Sequence, residues 1–531
     1  MFSLSPLLMT SNLQQLPLGI SEFSKLRESG AIYVDKTEVI CDNARTPGDM
    51  IYIARPRGFG KTLLLSTYES LFSRGSGDLR ALEGVGIWKL RRVHRIVRLD
   101  FEAFCGSPDA ESFEERFDSS IVDAFSRHGF RLSDGDRRPP LLQISDWLSS
   151  FRTHEFVLLV DNYDSPWLES LEDKARLGRV RAKFFEFCRM IGSAEKVFRF
   201  ACFTAITQIP LWDMFEFLHH LTTMSDAALV CGFTEKELRE NFGEWLDRAM
   251  EHGMWFGMDQ LLEGLWRRYG GYQFNNGCRR ERLYNPFSIL SFLANPEYGF
   301  EDHWVRAEPR PRLVASLIQR AFRETAGAVC AGNLWYIDYV DYISPEPALR
   351  ILTEMGYLTL RKKDCLKSIV DYPNTEARVS MARELSRVLL NGIKPADYGI
   401  PTTAEEREFS LVDDIVLIPK FLELLRDSGW QPRNHRQAVG MLVTLLLTYG
   451  FNEDRDVIEY QKTCCPILRI QRLTQIQEFE LSFVDASGLE SSCWSEGCTL
   501  SAVPDASLMI DYIGCPRRTE FFPADSNSTF R

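Results

Sequence analysis

The chain has no run of eighteen apolar residues, so no membrane-spanning helix is expected. Met1–Met9 is mildly apolar but has neither a basic start nor a long apolar core, so no export signal is expected either. Histidines number only eight in 531 residues, and the thirteen cysteines follow no repeating spacing. Reduced, mostly buried thiols are therefore expected rather than a disulfide framework. Cys493 and Cys498 flank a Trp-Ser-Glu-Gly stretch but have no partner pair at zinc spacing, which argues against a zinc site. Positive charge is in deficit as well: 62 Lys and Arg stand against 74 Asp and Glu, a net charge of −12. That balance excludes a surface built throughout for nucleic acid. Arg91-Arg92, Arg267-Arg268 and Arg279-Arg280 read as scattered, solvent-exposed pairs, and Trp266, Tyr269 and Tyr272 as core rather than as a base-stacking platform. A cytoplasmic protein of two to four domains fits this composition, since 531 residues exceed one ordinary core.

What is present begins at Met50–Ala54, an apolar strand that runs into Arg55-Pro56-Arg57-Gly58-Phe59-Gly60-Lys61-Thr62. Leu63–Phe72 follows with apolar residues at helical spacing. Strand, glycine-containing turn and helix together form the context of a P-loop. A nucleoside triphosphate presents oxygens that need many donors without steric interference. Backbone N–H groups at a helix N-terminus supply those donors, and a lysine neutralises the β- and γ-phosphate charge. In this reading Gly58 and Gly60 let the backbone approach, Lys61 supplies the charge and Thr62 holds magnesium. Arg55 stands where the first glycine of G-x-x-x-x-G-K-T is usual, and Arg55 and Arg57 read as phosphate ligands or as partners of Asp35.

The second half of such a site is expected at the end of another buried strand. Phe156–Val160 is a continuous apolar run, as a strand covered on both faces of a parallel sheet should be, and it ends in Asp161-Asn162-Tyr163-Asp164. Asp161 is the candidate second magnesium ligand; a turn or N-cap role is the alternative for that residue type. Phe198–Phe203 forms another strand, followed by Thr204 and Thr207, which either sense the γ-phosphate or cap a turn. With Arg95–Phe101 as a further strand and helix-length segments between, the first part reads as an α/β three-layer domain with a parallel sheet.

From Gly232 the texture becomes helical. Thr234 with Glu237 makes a capping box for Thr234–Ala249, and Asn285 before Pro286 starts another helix. Beyond a polar stretch at Lys394–Glu406, helices at Ile415–Asp427 and Gln437–Tyr449 precede strands at Ile467–Arg472 and Phe479–Phe483. The expected domains are therefore 16–231, a helical 232–393 and a smaller α+β domain at 407–515, with a disordered tail over 516–531.

These motifs in their order resemble the AAA-ATPase-like family. The likeness is carried by LPLGISEFSKL with YVDKT, ARPRGFGKTLLLS, LLVDNYDSP and FTAITQIP, and continues to Pro373-Asn374-Thr375-Glu376. The family's P-loop reads R-P-R-x-F-G-K-[ST], which accounts for Arg55. The resemblance implies ATP and Mg2+ as ligands, a nucleotide-controlled switch, a protein partner and a C-terminal PD-(D/E)XK nuclease-like domain. Family members carry Asp-Glu-Tyr-Asp where this chain has Asp161-Asn162-Tyr163-Asp164, so the carboxylate that orients the attacking water is replaced by an amide. Binding with weak or absent hydrolysis is the expectation, with Asp164 the candidate stand-in. Neither Glu478 nor Glu480 is followed by lysine at the nuclease offset, so the C-terminal domain is expected to be catalytically inactive.

Overall fold

The structure is a computed structural model. It describes residues 13–73, 93–208 except 108 and 134, 218–220, 227–274 except 254 and 256, 283–324, 348–363, 368–402, 414–429, 435–450, 456–461, 467–472, 475–484 and 507–514. The arginine pairs at 91–92 and 279–280, the Cys493–Cys498 stretch and the 516–531 tail lie outside those residues.

Five parallel strands form the central sheet: β1 (Asp49–Ala54), β2 (Arg95–Asp100), β3 (Phe156–Asp161), β4 (Phe198–Ala205) and β5 (Leu218–His220), in the order β2-β3-β4-β1-β5. Every residue of β3 and β4 is buried, which is why Phe156–Val160 reads as an unbroken apolar run instead of an alternating one; β4 buries Arg199 and Thr204 among its apolar residues. Register pairs Ala54 with Ala205 and Asp100 with Asp161, so β1, β2, β3 and β4 finish together along one edge. Because β4 lies between β1 and β3, the end of β4 sits between the P-loop and the acidic strand end.

Three helices complete the frame of the site. Helix α1 (Phe23–Ser29) and α2 (Thr37–Asn43) precede β1, and α3 (Lys61–Ser73) follows the P-loop. Leu65 and Tyr68 of α3 join Ile51, Val157, Phe200 and Cys202 from three strands in one buried cluster. That cluster also holds Val230, Cys231, Tyr272 and Leu283, so the sheet domain does not close at residue 231. The capping box at Thr234 and Glu237 is present, but the expected Thr234–Ala249 helix is two, Glu235–Asn241 and Gly243–His252. Phe242 (φ −120°, ψ 21°) departs from helical geometry between them.

The chain divides into two compact units. The first takes Met1–Pro309 with Thr353–Lys363, and includes the short strand β6 (Thr359–Lys363). The second takes Arg310–Leu352 and Asp364–Arg531. Its elements include β7 (Ser368–Asp371), helices Thr375–Leu390, Asp414–Asp427 and His435–Leu445, and an antiparallel sheet. That sheet contains β8 (Asp456–Gln461), β9 (Ile467–Arg472), β10 (Gln475–Val484) and β11 (Ser507–Gly514), in the order β11-β10-β9-β8. The expected boundaries at 393 and 407 both fall inside this second unit. Strands β8 and β11 were not anticipated: β8 lies among mixed charged residues, and β11 follows a serine- and cysteine-rich stretch.

Candidate functional site

Lys61 begins α3, and its Nζ donates to the carbonyls of Arg55 (2.8 Å) and Pro56 (3.0 Å). The ammonium thus bridges the loop it terminates and holds the backbone in a ring. Burial pulls the Lys61 pKa down, while the nearby Asp161 and Asp164 carboxylates oppose that shift. Gly58 (φ 81°) and Gly60 (φ 90°) occupy left-handed backbone that other residues enter at a cost of about 1–2 kcal/mol. At Gly58 there is a second constraint, since an added Cβ would lie 2.7 Å from Asn285 Oδ1 and 2.8 Å from Phe287 Cβ.

Those contacts show what packs on the loop. Three successive P-loop carbonyls are taken by the helical segment: Arg57 O accepts from Asn285 Nδ2 (3.1 Å), Gly58 O from Phe287 N (3.2 Å) and Phe59 O from Gly232 N (3.2 Å). Asn285 also caps the Pro286–Ala294 helix through Oδ1, accepting from Phe287 N and Ser288 N. One amide side chain therefore holds both a helix start and the loop before Lys61.

The acidic strand end lies beside it. Asp161 is buried, and its Oδ1 accepts from Thr204 Oγ1 at 2.6 Å and from Asn162 N at 3.1 Å. Asn162 has φ 51°, a left-handed conformation that Asn bears better than most residues. Its Nδ2 donates to Asp100 Oδ1 at 3.0 Å, across from the end of β3 to the end of β2.

Three expectations need correction. Asp164 is fully buried, and its carboxylate accepts from Ile206 N, Thr207 N and Thr207 Oγ1 at 2.6–3.1 Å. It therefore fastens the chain after β4, with both carboxylate oxygens taken by donors of that turn. Thr207 takes the turn-holding role for the same reason. Arg55 is also fully buried: its guanidinium lies 4.3 Å from the centre of the Phe274 ring and donates to Ala54 O at 2.7 Å. Burial lowers its pKa to about 10. Arg55 is a core cation supporting the loop from behind, which its position in the motif could not reveal. Arg268, expected on the surface, is likewise buried and paired with Asp302 at 2.6 Å.

A cavity of about 350 Å³ opens from the loop. Arg57, Gly58, Gly60, Lys61, Thr62 and Asn162 line one part of it. Leu18, Ile20, Tyr33, Phe233, Phe287 and Leu290 make the rest largely apolar. The size is at the lower end of small-molecule sites, and a lining that combines donor groups with a larger apolar part suits a ligand with a charged tail and a flat base. The apolar lining from residues 18–33 was not anticipated; Leu16–Ser24 offered only a family likeness.

Comparisons with known proteins find similarity over the stretch that carries this site. Residues 17–215 match the family model described as predicted AAA-ATPase. An uncharacterized protein in the vnfD 5′ region of Azotobacter chroococcum mcd 1 is 26% identical over 382 residues, which is 70% of each chain. The Aeropyrum pernix ORC2 protein, solved in ADPNP and ADP complexes, is 12% identical with a TM-score of 0.24, covering 71% of this chain and 97% of that one. The matched stretch, residues 17–215, contains the loop before Lys61, Asp161 and Thr204, and over it the chain is similar to the AAA-ATPase-like family.

Proposed function

We propose that the chain binds ATP with magnesium at the P-loop and that occupancy of this site sets the packing of the helices resting on the loop. The reading is carried by one observation: a buried lysine ties into a ring a loop that lines a cavity of about 350 Å³, whose lining joins the loop's polar groups to a larger apolar part. In this reading Lys61 and the amides of residues 58–62 hold the phosphates, and Arg57 adds charge from the cavity wall. Thr62 and Asp161 hold the magnesium, which screens the phosphate charge, and Thr204 keeps the Asp161 carboxylate in place. The purine ring lies against Tyr33, Phe287 and Leu290.

Switching rests on the same loop. A ligand that pulls on the amides of residues 58–60 acts on peptide groups whose carbonyls already hold Asn285, Phe287 and Gly232. Nucleotide can bias the helical segment only by the difference in its affinity for two packings. A cytoplasmic setting and a protein partner that reads the switched state belong to the same proposal, as does an inactive nuclease-like role for the C-terminal unit. The test is calorimetric titration with ATP and ADP alongside limited proteolysis. Tight binding with a changed cleavage pattern between the Gly232 and Pro309 segments is expected. Binding without any change in cleavage would leave a nucleotide site and remove the switch.

A further inference from the structure

Replacement of the water-orienting carboxylate by Asn162 leaves the site without that group at its usual position, and Asp164 is too deeply bound to supply it. We infer that Asp100, at the end of β2, is the carboxylate that orients the attacking water, held toward the site by Asn162. The inference rests on the proposed ATP site.

Asp100 and Asp161 are register partners on neighbouring parallel strands, so their backbones end side by side. Asp161 points to Thr204, whereas Asp100 is exposed to solvent. Asp100 Oδ1 accepts from Glu102 N and from Asn162 Nδ2, both at 3.0 Å. Among the described residues no donor reaches Oδ2, which leaves that oxygen to accept from water. Asn162 lines the cavity and turns through its left-handed backbone toward Asp100. An amide that donates to a carboxylate fixes its orientation without competing for the water, a job a glutamate at position 162 would spoil by like-charge repulsion. Glu102, another nearby acid, accepts from Ser165 Oγ at 2.5 Å.

In the step this permits, one water proton is accepted at Asp100 Oδ2 while the water oxygen forms a bond to the γ-phosphorus. The bond from that phosphorus to the β,γ-bridging oxygen breaks, and its electron pair leaves with ADP. The proton passes to the released phosphate, so the carboxylate is regenerated. Asp100 is thus a catalytic residue and Asn162 a positioning residue.

The test uses the full chain and its Asp100→Asn, Asn162→Ala and Lys61→Ala variants. Asn at position 100 keeps an acceptor for the Glu102 amide, so the strand end retains its cap. Wild type is expected to turn over ATP, and Asp100→Asn to lose about 10²-fold or more in kcat with KM unchanged. The same variant should bind ADP as wild type does yet lose affinity for ADP with aluminium fluoride, which places a water in line with the phosphoryl mimic. Asn162→Ala should fall between. Wild-type kcat in Asp100→Asn, or ATP binding with no turnover in wild type, would overturn the inference while leaving the binding site intact. Failure of wild type to bind ATP at all would remove the site and this inference with it.

Discussion

Asp161 and Thr204 form a close link in the site, a 2.6 Å hydrogen bond between two buried side chains. Thr204→Val keeps the shape and removes the donor, leaving part of a buried carboxylate without its partner. Such a loss costs about 1–3 kcal/mol. Urea denaturation should find the variant less stable by that amount, and no change would mean water replaces the hydroxyl freely. At this scale the sequence was legible where local order decides the role. Lys61, Thr62, Asp161 and Thr204 each lie at or just after a recognisable strand end, as their order in the sequence placed them, and their roles belong to the proposal. Arg55 and Asp164 were misread because their partners, Phe274 in one case and Ile206 with Thr207 in the other, come from distant chain or from a turn with no spacing signal. Asp100 was passed over for a related reason: a strand-end acid is noticed only once register sets it beside Asn162.

The loop before Lys61 is an element shaped by the helical segment that takes its carbonyls, and on the proposed reading by nucleotide as well. Gly58 and Gly60 both have positive φ, but only Gly58 has neighbours where a Cβ would be. Gly60→Ala should therefore cost about 1–2 kcal/mol, the strain of the left-handed backbone alone. Gly58→Ala adds a clash with Asn285 and Phe287 and should cost more, with the Pro286–Ala294 helix loosened as well. Hydrogen exchange of the Phe287 and Ser288 amides reads this directly. Faster exchange in Gly58→Ala but not in Gly60→Ala is expected, and equal effects would contradict the docking described for this helix. Elements with one strong period, such as β3, or with a side-chain cap, such as the helix after Asn285, were legible. The break at Phe242 was not, because apolar spacing runs through it and only tertiary packing ends the first helix there.

Over the whole molecule, titration adds a condition. His128 Nε2 lies 2.9 Å from Ile96 O, and burial, foremost, pulls the His128 pKa below its ordinary 6.5; His303 is shifted the same way, again chiefly by burial. The unfolded chain then takes up these protons at higher pH than the folded one. Their contribution to stability is complete above about pH 6.5 and is lost as pH falls from there through the folded values. A non-titrating His128→Gln chain should lose less melting temperature between about pH 7 and 5 than wild type. Parallel losses would contradict the assignment. Burial also pushes the Cys41 and Cys188 thiols up to about 12, so neither should react with a thiol reagent before unfolding, as peptide mapping would record. The division into two units was less legible than the sheet, since residues 353–363 rejoin the first unit after a crossing that composition does not mark.

All of these scales meet at Lys61, whose ammonium closes the loop now and is proposed to hold phosphate when nucleotide enters. The most direct measurement is calorimetric titration of ATP with magnesium into wild type and Lys61→Ala. Loss of a charge-assisted bond of about 1.5–3 kcal/mol predicts an affinity about 10- to 100-fold weaker in the variant. Equal affinity in the two proteins, or no binding by wild type, would contradict the assignment of this loop as the nucleotide site.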